Sequence, residues 1–296
     1  MMEFLSVLIP GLAVGAIYGL VALGFVLIFK CSGVLNIAQG QLVLVGSFIC
    51  YTLSIQLGIP FYLALVLTLG MSYLFGVLIE VVLLRPMVGQ PVLSVVMITI
   101  AIFFILSSLV MIFYGATYYN YPTYLPTEKV QVAGIAIATK YLWCFILAAV
   151  LFVGVFLFFR FTNQGIAMRS IADDEMAAES LGVNVRRLHG VAWGLSFAVS
   201  AGAGVLLGTV MTVYYGLGFI GLKAIPAVIV GGLESLGGAM VGGLIIGGLE
   251  AVAGVYLAPL SQFLGGIKDV FPYVILMLVL LVKPYGLFGE RRIERI

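Results

Sequence analysis

Charge is what this sequence has least of. Only 9% of its 296 residues are Asp, Glu, Lys or Arg, against about 25% in soluble domains. Hydrophobic residues make up 63%, and the mean hydropathy is +1.25. A soluble globular domain is thereby excluded, and a formal net charge of +2, spread along the chain, excludes a nucleic-acid-binding face. Histidine occurs once, as His189, and neither G-x-S-x-G nor H-E-x-x-H is present, so triad and zinc-protease chemistry find no support. The three cysteines, Cys31, Cys50 and Cys144, fall in or beside apolar runs without metal-ligand spacing, so no disulfide, metal or cofactor is expected. Also missing are a phosphate-binding G-x-x-x-x-G-K-[ST] loop and any chain of acids or histidines running through consecutive apolar segments. If solute is moved uphill, the energy source lies on another polypeptide.

What is present is apolar sequence in lengths of about 20 residues, the number needed to cross a hydrocarbon core of about 30 Å. Such segments fall near residues 5–29, 33–57, 61–84, 92–114, 141–160, 190–212, 236–257 and 269–283, and a shorter apolar piece lies at 222–233. The N-terminal segment carries Glu3 where a signal peptide has a basic region, and reads as a retained span. The expected fold is an all-α polytopic membrane domain over 1–296, with about eight transmembrane helices, a short broken or re-entrant segment and pseudo-repeated halves. If the spans alternate, Lys30, Arg85, Arg160, Arg169, Arg186, Arg187, Lys283, Arg291, Arg292 and Arg295 share one side, and Lys129, Lys140 and Lys268 the other. The positive-inside bias then puts the N-terminus outside and the C-terminus in the cytoplasm. Those ends require an odd number of crossings, so 222–233 must supply one or form part of a broken one.

Two loops stand out. The outer loop, 115–140, is rich in tyrosine and proline, and VQVAGIAI alternates like a hairpin arm; it reads as an interfacial aromatic belt or as a docking surface for an external protein. The inner loop, 160–189, contains ADDEMAAESLG, which has the marks of a short helix: Asp173 or Asp174 as N-cap, helix formers through the middle and Gly182 as the stop. Ile171, Met176, Ala177, Ala178 and Leu181 are its apolar positions. So short a helix needs a surface to rest on, either lipid headgroups or a partner's groove. Acids at Asp173, Asp174, Glu175 and Glu179 disfavour anionic lipid and so favour the partner. His189 reads as part of the interfacial charge, and Glu80 as the partner of Arg85 at a span end.

Amides interrupt the second segment. Asn36, Gln39 and Gln41 lie among Gly33, Gly40 and Gly46, and the second half answers with Gly231, Gly232, Gly237 and Gly238 around Glu234 and Ser235. Corresponding interruptions in two halves of a chain point to a transport site near the midplane. Gly242, Gly243, Gly247 and Gly248 are better explained by close helix packing. A buried amide without partners costs about 2–7 kcal/mol, so the three amides should face one another, an opened backbone or a polar cavity.

At these residues the chain resembles a known family. LNIAQGQ at 35–41, EVVLLRP at 80–86, GIAMRSIADDEMAAESLGVN at 165–184, KAIPAVIVGGLESLGGAMVGG at 223–243 and KPYGLFG at 283–289 are similar to the permease subunits of branched-chain amino acid ABC importers, of the Liv type H family. The resemblance covers nearly the whole chain. It implies a bacterial inner-membrane importer in which two homologous permease subunits pair, two ATPase subunits bind below and a periplasmic binding protein delivers solute from above. It also implies that the inner loop holds a coupling helix, with Arg169, Asp173, Glu175, Ala178, Glu179, Gly182 and Val183 as ATPase contacts. Asn36, Gln39, Gly40, Gln41, Gly231, Gly232, Glu234 and Ser235 would line the translocation path. One departure stands out: the family run reads G-G-x-G-S, and here Glu234 replaces the third glycine. Relatives of this architecture are associated with urea, short amides and aromatic acids as well as branched-chain amino acids, and a stand-alone facilitator or channel is the other reading.

Overall fold

The computed structural model describes residues 2–121, 128–132, 135–259 and 266–289. Among the described residues, six helices are long and apolar enough to cross a membrane. Within them lie α1 (Met2–Ser32), α3 (Phe61–Ile79), α4 (Val92–Tyr114), α5 (Thr139–Phe161), α8 (Val185–Val210) and α11 (Leu236–Tyr256). The segments expected at 33–57 and 269–283 are shorter. The first becomes α2 (Gln39–Tyr51) after an unwound stretch and ends in a π-helical turn, Thr52–Gln56; the second becomes α12 (Ile267–Val282). The apolar piece at 222–233 belongs to a longer run: α9 (Leu217–Ile220), a 3-10 turn (Gly221–Lys223) and α10 (Ala224–Gly231).

Two helices form the core. The most apolar window of α1 is 83% buried and that of α8 89%, against 28% for α3 and α4 and 17% for α5. Lipid tails are as apolar as leucine, so close approach, rather than escape from water, selects which helices meet. Gly11, Gly15 and Gly19 recur every four residues on α1 and abut Ala251, Gly247, Gly243 and Met240 of α11, which runs antiparallel to it. A Cβ on Gly247 would fall inside the van der Waals radius of the Gly15 Cα. Gly242 meets the Ala227 carbonyl of α10, and Gly248 faces Leu8 and Leu12. All four glycines assigned to packing from the sequence do pack.

At one end, α6 (Asn163–Asp173) and α7 (Glu175–Ser180) occupy the inner loop. The short helix expected at ADDEMAAESLG is α7, α6 is an additional helix ahead of it, and of the two candidate caps Asp173 ends α6. Asp174 is the N-cap of α7, its Oδ1 accepting from the Ala177 amide at 2.9 Å, and Gly182 follows at φ +85°. At the other end a hairpin pairs β1 (Lys129–Val132) with β2 (Ile135–Ala138), with Lys129 opposite Ala138. Tyr114 and Tyr119 stack around Phe48 at 4.3 and 5.8 Å, and the Tyr121 hydroxyl donates to the Ser47 carbonyl at 2.5 Å. Residues 122–127 of the outer loop, and the cations Arg291, Arg292 and Arg295, lie outside the described residues.

Candidate functional site: the amides at the helix breaks

The first break is built by three local events. Gly33, at φ +65°, ends α1. The Asn36 Oδ1 accepts from the Ala38 amide at 3.1 Å, so the side chain turns its own backbone. The Asn36 Nδ2 then donates to the Gln39 Oε1 at 3.0 Å, and α2 starts there. The Gln39 Nε2 donates to Ser196 Oγ at 2.9 Å and Ser200 Oγ at 2.6 Å, two hydroxyls one turn apart on α8. The Ser196 hydroxyl in turn donates to the Gly24 carbonyl of α1 at 2.8 Å. Gly24 leaves room for this: a Cβ would overlap Gln39 Nε2. The Ile37 amide reaches Thr99 Oγ1 of α4 at 3.3 Å. Every polar atom of Asn36 and Gln39 side chains thus has a use inside the chain. These two amides anchor the break to α1, α4 and α8.

Gln41 differs. It is fully buried, yet neither its Oε1 nor its Nε2 meets a hydrogen-bond partner among the described residues. Its amide lies against Gly218 of α9, where an added Cβ would stand 2.5 Å from Nε2. Next to it the Gly40 backbone touches that of Gly221 and the Gly218 carbonyl. The first break therefore meets the start of the second apolar run, not the GGLESLGG end of it.

That end has other neighbours. Gly231 and Gly238 close on each other's backbones, and Gly232, at φ +105°, touches Gly289. The Leu287 amide donates to the Val230 carbonyl at 2.8 Å and the Phe288 amide to the Gly231 carbonyl at 3.1 Å. The KPYGLFG stretch thereby satisfies carbonyls that the end of α10 leaves open. Ser235 caps α11, its Oγ accepting from the Gly238 amide at 3.0 Å. Of the residues expected here, Glu234 lines two cavities: one of about 460 Å³ with Lys30, Ile171, Asp173 and Glu175, and one of about 140 Å³ with Phe29, Leu233 and Tyr285.

In the inner loop, Met176 and Leu181 are 80% and 86% exposed, whereas Ala178 is 2% exposed and joins the chain's own core with Ile171. Of the apolar positions read from the sequence, Ala178 and Ile171 seat the helix and Met176 and Leu181 stay bare. Glu175 lines the 460 Å³ cavity, and the Arg169 guanidinium donates to the Arg160 carbonyl at 3.2 Å. Glu80 meets Arg85 in two contacts, 2.7 and 3.3 Å, as their spacing predicts. His189 is a correction: it is buried, with Nε2 unpartnered, beside a cavity of about 160 Å³ that Glu80, Glu175 and Trp193 share.

One cluster escaped the sequence. Lys223 Nζ donates to Glu250 Oε1 at 3.0 Å and to Asp269 Oδ1 at 2.6 Å, tying the turn before α10 to α11 and α12. Glu250 is 3% exposed, inside an otherwise apolar helix. An acid in such a helix is a signal in itself, but its partners lie on other elements and no local spacing joins them.

The sequence profile of the family described as branched-chain amino acid transport system / permease component matches residues 7–280. The high-affinity branched-chain amino acid transport system permease protein BraD of Pseudomonas aeruginosa is 31% identical over 99% of this chain and 98% of its own. LivH, of the same description, from Escherichia coli K12 is 29% identical over the same shares. A probable LivH permease of Methanocaldococcus jannaschii is 31% identical over 91% of this chain and 88% of its own. No solved structure matches. With a core of glycine-packed helices, amide-anchored breaks and this match along most of its length, the chain belongs to the branched-chain amino acid permease family.

Proposed function

We propose that the chain is the membrane-spanning subunit of a bacterial ABC importer that carries branched-chain amino acids across the inner membrane and hydrolyses no ATP itself. The carrying observation is the match to permeases over nearly the whole chain. Helix α7 supports it: it is side-chain-capped, seated by Ala178, and presents Met176 and Leu181 bare to a partner. One of two ATPase subunits binds there, with Arg169, Asp173, Glu175, Glu179, Gly182 and Val183 around the contact and Ala178 beneath it. A homologous second permease subunit completes the membrane part, and a periplasmic binding protein delivers the solute.

Counted with the Leu217–Gly231 run, α1, α2, α3, α4, α5, α8, α11 and α12 give nine crossings. With an odd count the two ends fall on opposite sides, and the positive-inside bias assigns the N-terminus to the periplasm and the C-terminus to the cytoplasm, with the two breaks read as counterparts in pseudo-repeated halves of one transmembrane domain. Gln41 and Glu234 face the path; Asn36, Gln39, Gly40, Gly231, Gly232 and Ser235 shape it. Reconstitution with the ATPases and binding protein should give ATP-dependent leucine uptake. Uptake into vesicles lacking the ATPases would overturn this reading in favour of a facilitator. Glu234, which lines the 460 Å³ cavity, makes urea, short amides and aromatic acids the alternative solutes to test, and competition of each against leucine in the same vesicles decides between them.

A further inference from the structure

Gln41 and α9 carry an inference that rests on the importer reading and deepens it. Within the first break, polar side chains are spent on one another: Asn36, Gln39, Ser196 and Ser200 form one connected set. Gln41, two residues from Gln39, takes no part, although both its amide atoms are sealed from solvent. A buried amide that the chain itself leaves without a partner is costly, and such a group calls for a partner that the chain does not supply.

What seals it is slight. Helix α9 is four residues long, bounded by Gly216 and Gly221, and the surface it turns to α2 is backbone and glycine: Gly218 and Gly221 against Gly40. Among the described residues no hydrogen bond joins α9 to α2. Leu217 is buried in the apolar core, and the polar and aromatic attachments of the segment lie away from α2. Phe219 stacks on Phe103 at 5.9 Å, Ser107 donates to the Tyr215 hydroxyl at 2.9 Å, and the Met211–Gly216 strap is held by the reciprocal backbone pair of Val213 with Tyr119, 2.8 Å each way. The face toward Gln41 can part without breaking a polar contact, while the strap keeps the segment attached.

We propose that α9 is a displaceable plug and that Gln41, beneath it, receives the head of a free α-amino acid: Nε2 donates to the carboxylate and Oε1 accepts from the ammonium. The chemistry fits the ligand. A carboxamide offers a two-hydrogen donor and a carbonyl acceptor on separate atoms of one neutral, planar group. It can therefore meet both charges of a zwitterion without a formal charge of its own, and hold the solute loosely enough to release it. Asn36 and Gln39 cannot do this while their atoms are engaged. Gly218 is required by the same geometry, since any side chain there would wedge into the amide when the plug is seated.

The test uses the whole importer, both permease subunits with ATPases and binding protein, in proteoliposomes. Gln41→Leu keeps the bulk and removes both polar atoms; leucine uptake should show a KM raised about tenfold, the loss of about one charged-group hydrogen bond, with nucleotide hydrolysis retained. Gln41→Cys is made with Cys31, Cys50 and Cys144 replaced, and treated with a membrane-impermeant thiol reagent. It should stay unlabelled without nucleotide, label during ATP turnover, and label more slowly with excess leucine. Wild-type KM in Gln41→Leu, equal labelling with and without nucleotide, no labelling in either state, or labelling indifferent to leucine would each overturn the proposal. The unsubstituted complex separates the two claims: if its own uptake is not ATP-driven, the importer reading fails; if it is, only the roles of Gln41 and α9 are in question.

Discussion

Two glutamines one residue apart in the same motif have opposite roles, and stability distinguishes them. Gln39 has two serine hydroxyls and Asn36 as partners, all inside the chain. Gln39→Leu strips these groups of their partner, at about 1–3 kcal/mol for each orphan left behind, so thermal unfolding of the purified protein in detergent should fall by several degrees. Gln41→Leu removes an orphan and should leave unfolding unchanged or raise it. The sequence reading held that all three amides must face one another, an opened backbone or a polar cavity. Asn36 and Gln39 do the first two. Nothing local told Gln41 from Gln39, because the difference lies in Ser196 and Ser200, which are far off in sequence and only come opposite once α8 is placed.

Among elements, the charged tie at Lys223 and the short helix α7 are the parts most open to test. Lys223→Met leaves Glu250 buried with no counter-charge, and removing one partner of such a pair costs about 3–5 kcal/mol. Expression and unfolding temperature should both drop, and adding Glu250→Gln should recover most of the loss. For α7, Met176→Asp or Leu181→Asp changes only an exposed side chain, so the protein should stay folded while co-purification of the ATPases falls. Ala178→Leu acts differently, pushing α7 off its seat, and should lower coupling of ATP hydrolysis to uptake even where binding survives. The cap and stop of α7 were legible because Asp174 and Gly182 act within one turn. The preceding α6, capped by Thr162, was not, since its apolar residues read as part of a charged loop. Helix α9 was invisible for a similar reason: its residues continue the apolar run, and only the 3-10 turn Gly221–Lys223 separates it from α10.

For the molecule as a whole, hydropathy told where the membrane helices are but not which are central. That choice is made by the size of side chains at the α1 and α11 contact and along α8, a property of pairs of helices. Gly247→Leu should prevent assembly, seen as loss of a monodisperse peak in size-exclusion chromatography, whereas Gly154→Leu on α5, where a Cβ meets nothing within 4 Å, should be tolerated. The KPYGLFG strap bears on how the protein is made. The carbonyls of Val230 and Gly231 take their hydrogens from Leu287 and Phe288, which leave the ribosome only after α11 and α12 have been inserted. Biogenesis of the second break therefore runs backwards along the chain. The inserted α10 waits with an open end until the stretch beyond α12 is translated, and a nascent chain stalled ahead of Lys283 carries every described helix and still lacks that lock.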